Sequence, residues 1–172
     1  MKNYVNEKQE SGMRVLVVEP LKRPYIKTIS DDLESLQREV GGDIEGVFPF
    51  DAPVAIVLNG EGKFNGSALN RGLYDEKGEL YDIIAGTFLV TGLTEEDFGS
   101  ISEELAEKYM EKYKIPERFL LVNGEIVSVL ISDGTEKKQV VSTQQQAERL
   151  AGHSKNHNGE SRKRNKANEG RW

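Results

Sequence analysis

Apolar residues recur along this chain with two spacings, and the spacing changes from segment to segment. Met13–Val18 carries Val15, Leu16, Val17 and Val18 without interruption, which predicts a strand covered on both faces. Glu19-Pro20-Leu21-Lys22-Arg23-Pro24 reads as a turn. Tyr25–Ile29 then alternates, with Tyr25, Lys27 and Ile29 on one face and Ile26 and Thr28 on the other, so the two segments predict a hairpin. Ser30 offers an N-cap, and Asp31 and Asp32 fall in the first turn, where the helix dipole favours acids. Leu33, Leu36, Gln37 and Val40 share one helical face, and Gly41-Gly42 supplies the stop.

Ile44–Phe50 and Val54–Leu58 predict two further strands, broken by Asp51-Ala52-Pro53. Asn59-Gly60 after an apolar run is a tight-turn signal, because both residues tolerate positive φ. Residues 59–78 then read as a long loop holding Asn59, Gly60, Gly62, Asn65, Gly66 and Asn70, and loops of that length are often functional. Glu79–Ile84 and Gly86–Gly92 predict a strand or strand pair bent at Gly86. Thr94 to Asp97 and Ser100 with Glu103 resemble capping boxes. Leu105, Tyr109, Met110 and Tyr113 form the apolar face of a helix over 102–114, ended by Pro116. Phe119–Val122, Asn123-Gly124 and Ile126–Ser132 predict a C-terminal hairpin. The fold class expected is α+β, with a mixed or mostly antiparallel sheet and two or three helices. Residues 1–12 read as a flexible N-terminus and 13–132 as the domain. Residues 133–151 read as a polar, weakly helical extension, with Val140, Gln144 and Ala147 on one side, and 152–172 as a disordered basic tail.

Composition sharpens that division. The chain has 172 residues, 37% apolar and 30% charged, and from Ala151 onward Trp172 is the one strongly apolar side chain. Residues 151–172 hold six Lys/Arg and two acids, a net of +4; the whole chain is −6, so residues 1–150 carry −10. A body this acidic is repelled by nucleic-acid phosphates and anionic membranes and favours a basic partner surface. The basic tail is expected to give weak, non-specific nucleic-acid contact. With no cysteine, disulfides, thiolate metal sites and cysteine nucleophiles are excluded together. The sequence shows no signal peptide and no run approaching ~20 apolar residues, so a cytoplasmic protein without a membrane contact is expected. Asn65-Gly66-Ser67 matches a glycosylation sequon, a chance match without a secretory signal.

The histidines are His153 and His157, both in the tail, with Ser154 where a zincin motif needs Glu. Ser-His-Asp and Cys-His catalysis in the body are thereby excluded, and no metal or cofactor is expected. Gly60-x-Gly62 lacks the third glycine of a dinucleotide fingerprint, and Gly62-Lys63 is followed by Phe64 rather than Ser or Thr. Carboxylate, amide and lysine chemistry remains around residues 59–88. Asn59, Lys63, Asn70, Arg71, Asp82 and Thr87 are the candidate ligand- or partner-binding residues. Asp82 lies in phase with Leu80 and Ile84, so it needs a cation or donor, with Arg71 or Lys63 as that partner. The competing reading is a structural ion pair that closes the loop. Phe48-Pro49-Phe50, Tyr74, Tyr81 and Phe88 are either stacking faces or core.

The stretch from Met13 to Leu93 resembles a domain of unknown function found in small proteins of Gram-positive phages, plasmids and conjugative elements. Val17-Val18-Glu19-Pro20, Leu36-Gln37, Val40-Gly41-Gly42 and Phe48-Pro49-Phe50-Asp51 carry the match. It continues in Asn59-x-Glu61-Gly62-Lys63, Asn70-Arg71 and Tyr81-Asp82-Ile83-Ile84-Ala85-Gly86-Thr87-Phe88. The resemblance implies a mobile-element origin and an accessory role, and no reaction. The function expected is therefore binding to a host or element-encoded protein, with countering a host defence as one such role. The alternative is a small-ligand domain for a nucleotide or nucleotide-like signal, using residues 59–88.

Overall fold

In the computed structural model of the chain, residues 12–132 and 135–140 are described. In chain order the elements are β1 (Gly12–Val18), β2 (Tyr25–Ser30), α1 (Leu33–Val40), β3 (Ile44–Val47), β4 (Val54–Asn59), β5 (Leu69–Tyr74) and β6 (Leu80–Ala85). They continue with β7 (Phe88–Leu93), β8 (Phe98–Gly99), α2 (Glu103–Lys112), β9 (Glu117–Val122), β10 (Glu125–Ser132) and β11 (Thr135–Val140). The fold is α+β, and the strand pairings are antiparallel.

The main sheet runs β2-β1-β7-β4-β3, with β8 pairing the end of β7. Its inner strands are apolar on both faces because both faces are covered. Met13, Val15 and Val17 of β1, with Val57 and Leu89, meet Leu36 and Val40 of α1. Leu16 and Val18, with Ile56, Phe88 and Val90, meet Ala106, Tyr109 and Tyr113 at α2 and Leu73 and Ile84 from β5 and β6. Alternate side chains of one strand thus feed two cores. The β5–β6 pair adjoins the β9–β10–β11 sheet through Leu80, Ile83 and Ile126, flanked by Tyr74 and Phe119.

Most turn chemistry follows the sequence. The β1–β2 hairpin forms with Val15 opposite Lys27. Asn123 and Gly124 join β9 to β10 with φ of 51° and 80°, the doubly positive pair that a two-residue hairpin demands. Gly86 (φ 80°) is the bend between β6 and β7, which belong to different sheets. At α2 the helix starts near the expected position, but its cap is Ser102, which accepts from the Leu105 N–H, and not Ser100, whose hydroxyl oxygen accepts from the Arg14 N–H at 3.0 Å.

Several expectations are corrected. The cap of α1 is Asp32, not Ser30: Ser30 still belongs to β2, and the Asp32 carboxylate accepts from the Ser35 N–H at 2.7 Å. Leu33 lies off the buried face at 57% exposure, and Ser35 takes its place beside Leu36 and Val40. The strand beginning at Ile44 stops at Val47, short of Phe48-Pro49-Phe50, because proline lacks the ladder donor. Residues 59–78 are not a structureless loop, since β5 lies inside them. Residues 135–140, assigned to a weakly helical extension, are a strand that pairs antiparallel with β10, Ser132 opposite Thr135. Residues 1–11, read from the sequence as part of a flexible N-terminus, residues 141–151, and the tail with His153 and His157 lie outside the described residues.

Gly92 marks the tightest approach in the main sheet. A Cβ there would sit 2.2 Å from the Ser100 carbonyl oxygen, a backbone atom that cannot rotate aside. Gly92→Ala should lower unfolding free energy by about 2–3 kcal/mol in chemical denaturation. Unchanged stability would mean that the Ser100 segment does not lie against β7.

Candidate functional site

β5 reads Leu69-Asn70-Arg71-Gly72-Leu73-Tyr74, and two of its polar side chains point inward. Asn70 is 0% exposed and Arg71 is 1% exposed. A guanidinium carries five N–H donors and accepts nothing, so burying it requires acceptors in a matching fan. Arg71 has them. Its Nε donates to the Tyr113 carbonyl at 3.3 Å. One terminal nitrogen donates to the Glu19 carbonyl at 3.5 Å and Asn70 Oδ1 at 2.9 Å. The other donates to the carbonyls of Lys22 at 2.7 Å and Tyr113 at 2.8 Å. Tyr113 is the C-cap of α2, where the helix end presents negative partial charge. Burial lowers the Arg71 pKa to about 10, opposed by nearby Glu117, so the group stays charged at neutral pH.

Asn70 completes the arrangement by donating to the carbonyls of Val18 at 2.9 Å and Gly86 at 2.8 Å. Glu117, also buried, accepts from the Gly72 N–H at 3.3 Å, the Tyr74 hydroxyl at 2.5 Å and Ser128 Oγ at 2.9 Å. Glu117 and Tyr113 were not among the sequence candidates. Glu117 lies after Pro116, where periodicity marks only the end of a helix. The Tyr113 hydroxyl is buried and has no hydrogen-bond partner among the described residues.

The six candidate residues fall into separate places. Asn70 and Arg71 are the buried pair just described. Lys63 and Asp82 form an ion pair at the surface, with side chains 37% and 23% exposed. Asp82 also accepts from the Ile83 N–H at 2.8 Å. Asp82 thus takes Lys63, not Arg71, of its two expected cations. Glu45 of β3 lies within the field of both: desolvation raises its pKa, Lys63 lowers it and Asp82 raises it. Asn59 ends β4 and is buried, with its amide donating to the Val40 carbonyl at 3.4 Å and accepting from the Glu61 N–H at 2.9 Å. Asn59-Gly60 makes no hairpin; the Asn59 carbonyl instead accepts from the Gly62 N–H at 3.0 Å. Thr87 is half-buried in the link between β6 and β7.

The aromatic set divides as well. Phe88 is in the core, edge-on to Tyr113 at 5.3 Å, and Phe50 packs on Tyr109 at 4.8 Å. Tyr81 remains exposed at 40%, as does Phe64 at 50%, which the sequence did not single out. The Lys63–Asp82 pair ties the turn bearing Phe64 to the strand bearing Tyr81. Among the described residues, no group of three or more His, Cys, Asp or Glu is placed to hold a metal, and no helix is long and apolar enough to cross a membrane.

Residues 13–114 match the model of a family described as a domain of unknown function (DUF3846). The matched span runs from β1 through α2 and contains Arg71 and every acceptor of its guanidinium. No curated protein and no solved structure matches the chain.

Two measurements test this geometry. Arg71→Ala should lower stability by about 3–5 kcal/mol, since it strands buried acceptors around an emptied site. Arg71→Lys should recover less than half of that, because an ammonium cannot span the carbonyls of Glu19, Lys22 and Tyr113. A fully stable Arg71→Ala would refute the assignment. The second test is alkaline. Burial pushes the Tyr74 and Tyr113 phenols above their ordinary 10.0, and Tyr81 and Tyr109 shift the same way. Folded values above the unfolded one give stability that is full below about pH 10 and is lost as pH rises through the folded values. Phenolate absorbance should lag behind a free-tyrosine curve until the chain unfolds. Normal titration in the folded protein would contradict it.

Proposed function

The chain belongs to the DUF3846 family, and from that premise we propose that it is a non-enzymatic binding protein of a mobile genetic element, acting on a host or element-encoded protein with a basic surface. The mobile-element setting rests on the resemblance carried by residues 13–93. The preference for a basic partner rests on the −10 of residues 1–150, which draws cationic surfaces and repels phosphate backbones.

The observation that supports protein binding is the contrast between the two halves of the candidate site. Arg71, the side chain best suited to clamp a phosphate or carboxylate, has all five donors taken by the protein itself. Asn59 and Asn70 are likewise bonded internally. What remains at the surface is the Lys63–Asp82 pair joining the segments of Phe64 and Tyr81. Exposed aromatics beside charged side chains are the composition of a protein-binding hot spot. Thr87 and Glu45 border the same segments. The small-ligand reading lacks comparable support, since its main anion anchor is occupied.

Native mass spectrometry of the protein isolated from its own cells is the test. The expected result is a complex with a basic protein that dissociates as salt is raised. Phe64→Ala and Tyr81→Ala should each weaken that complex by roughly tenfold or more, with melting temperature within about two degrees of the parent. Retention of a small molecule in place of a protein would overturn the proposal.

A further inference from the structure

The described chain contains three Asn-Gly pairs, at Asn59-Gly60, Asn65-Gly66 and Asn123-Gly124, and the fold treats them differently. An asparagine followed by glycine is prone to attack by the glycine nitrogen on the asparagine side-chain carbonyl carbon. At Asn59-Gly60 this path is blocked. The side chain is buried and bonded at both ends, and the Gly60 N–H is held by the Asp43 carbonyl at 3.0 Å. At Asn123-Gly124 the pair is exposed, but the turn is fixed by Val122 pairing Glu125, with both residues at positive φ. Ring closure there requires the hairpin turn to open.

Asn65-Gly66 differs on each count. Both residues are exposed, the Gly66 N–H has no acceptor among the described residues, and no atom lies within 4 Å of where a Gly66 Cβ would stand. The Asn65 carbonyl oxygen is also held by two donors from one residue: the Ser67 N–H at 3.0 Å and the Ser67 hydroxyl at 2.5 Å. That oxygen takes the negative charge when the Gly66 nitrogen adds to Cγ. Two donors already aimed at it stabilise the tetrahedral intermediate, as an oxyanion hole does.

We infer that Asn65-Gly66-Ser67 is a self-modifying turn, and the preferred deamidation site among the three described pairs. The Gly66 nitrogen loses its proton and bonds to Asn65 Cγ, and the C–N bond to the side-chain amide breaks with release of ammonia. The resulting succinimide is opened by one water at either carbonyl, giving aspartate or isoaspartate. No oxidant or reductant is involved. The product places a new carboxylate two residues from Lys63, whose partner is Asp82. Isoaspartate further lengthens the backbone just before Ser67, which packs against Gly86 at the bend between β6 and β7.

The test is peptide mapping of the full chain after incubation in mildly alkaline buffer, following the mass gain of each Asn-Gly peptide and its aspartate and isoaspartate products. Asn65 should convert faster than Asn59 and Asn123. Ser67→Ala should slow conversion at Asn65 by roughly three- to tenfold, less than the ~10²–10³ of an enclosed oxyanion hole because the turn is open to water. Asn65→Gln, whose ring closure is slower, should remove the signal there and leave the Asn59 and Asn123 peptides unchanged. Equal or slower conversion at Asn65 than at Asn123, or an unchanged or faster rate in Ser67→Ala with the fold intact by thermal melting, would overturn the inference.

Discussion

The fan of hydrogen bonds around the Arg71 guanidinium decides how the parts of this domain meet. β5 is not in the main sheet, and neither the β1–β2 turn nor the end of α2 is joined to it by a strand ladder. Arg71 reaches all of them at once, through the carbonyls of Glu19, Lys22 and Tyr113. A buried cation among neutral acceptors is stable only when every donor is met, and here the five-donor fork matches the fan. The helix end contributes negative partial charge at Tyr113, and nearby Glu117 also favours the charged guanidinium. The turn geometry fits this requirement. Leu21 sits between two residues whose carbonyls turn in toward Arg71, takes φ of 60°, and leaves its side chain 50% exposed.

The same constraint directs the functional reading. A charged arginine on a strand among asparagines and an aspartate is, by residue type, an anion site. In the folded chain its valences are closed, and so are those of Asn70. The exposed chemistry lies instead on the neighbouring turn and strand, where Lys63 and Asp82 neutralise each other. An exposed ion pair of this kind adds little stability, with a median near ~0–1 kcal/mol. What it does in the fold is hold the turn with Phe64 against the strand with Tyr81, the surface proposed to meet a partner.

Much of the fold was legible where one local signal sufficed. The buried run of β1, the alternation of β2, the Gly41 stop and the Asn123-Gly124 turn each specify their element through periodicity or backbone preference. β5 was not legible, because Leu69-Asn70-Arg71-Gly72 has neither alternation nor a β-branched residue. Its polar side chains are buried by hydrogen bonds to segments 49 to 52 residues before it and 42 residues after it, which no local window contains. The candidate site was half legible for the same reason. The Lys63–Asp82 pair follows from an acid in phase with apolar neighbours. Whether Arg71 served a ligand or the fold depended on acceptors at Glu19, Lys22 and Tyr113, main-chain atoms with no signature in residue type. β11 was not legible because the polar composition of 135–139 masked a strand.

The central claim is that the Arg71 donors are closed off in the free protein. Side-chain NMR of the Arg71 Nε–H reads this directly. The expected result is a resolved signal protected from hydrogen exchange, whose shift stays fixed when phosphate or a nucleoside phosphate is added. Fast exchange in the free protein, or a shift of that signal on anion addition, would contradict the account and return Arg71 to the role of a ligand-binding residue.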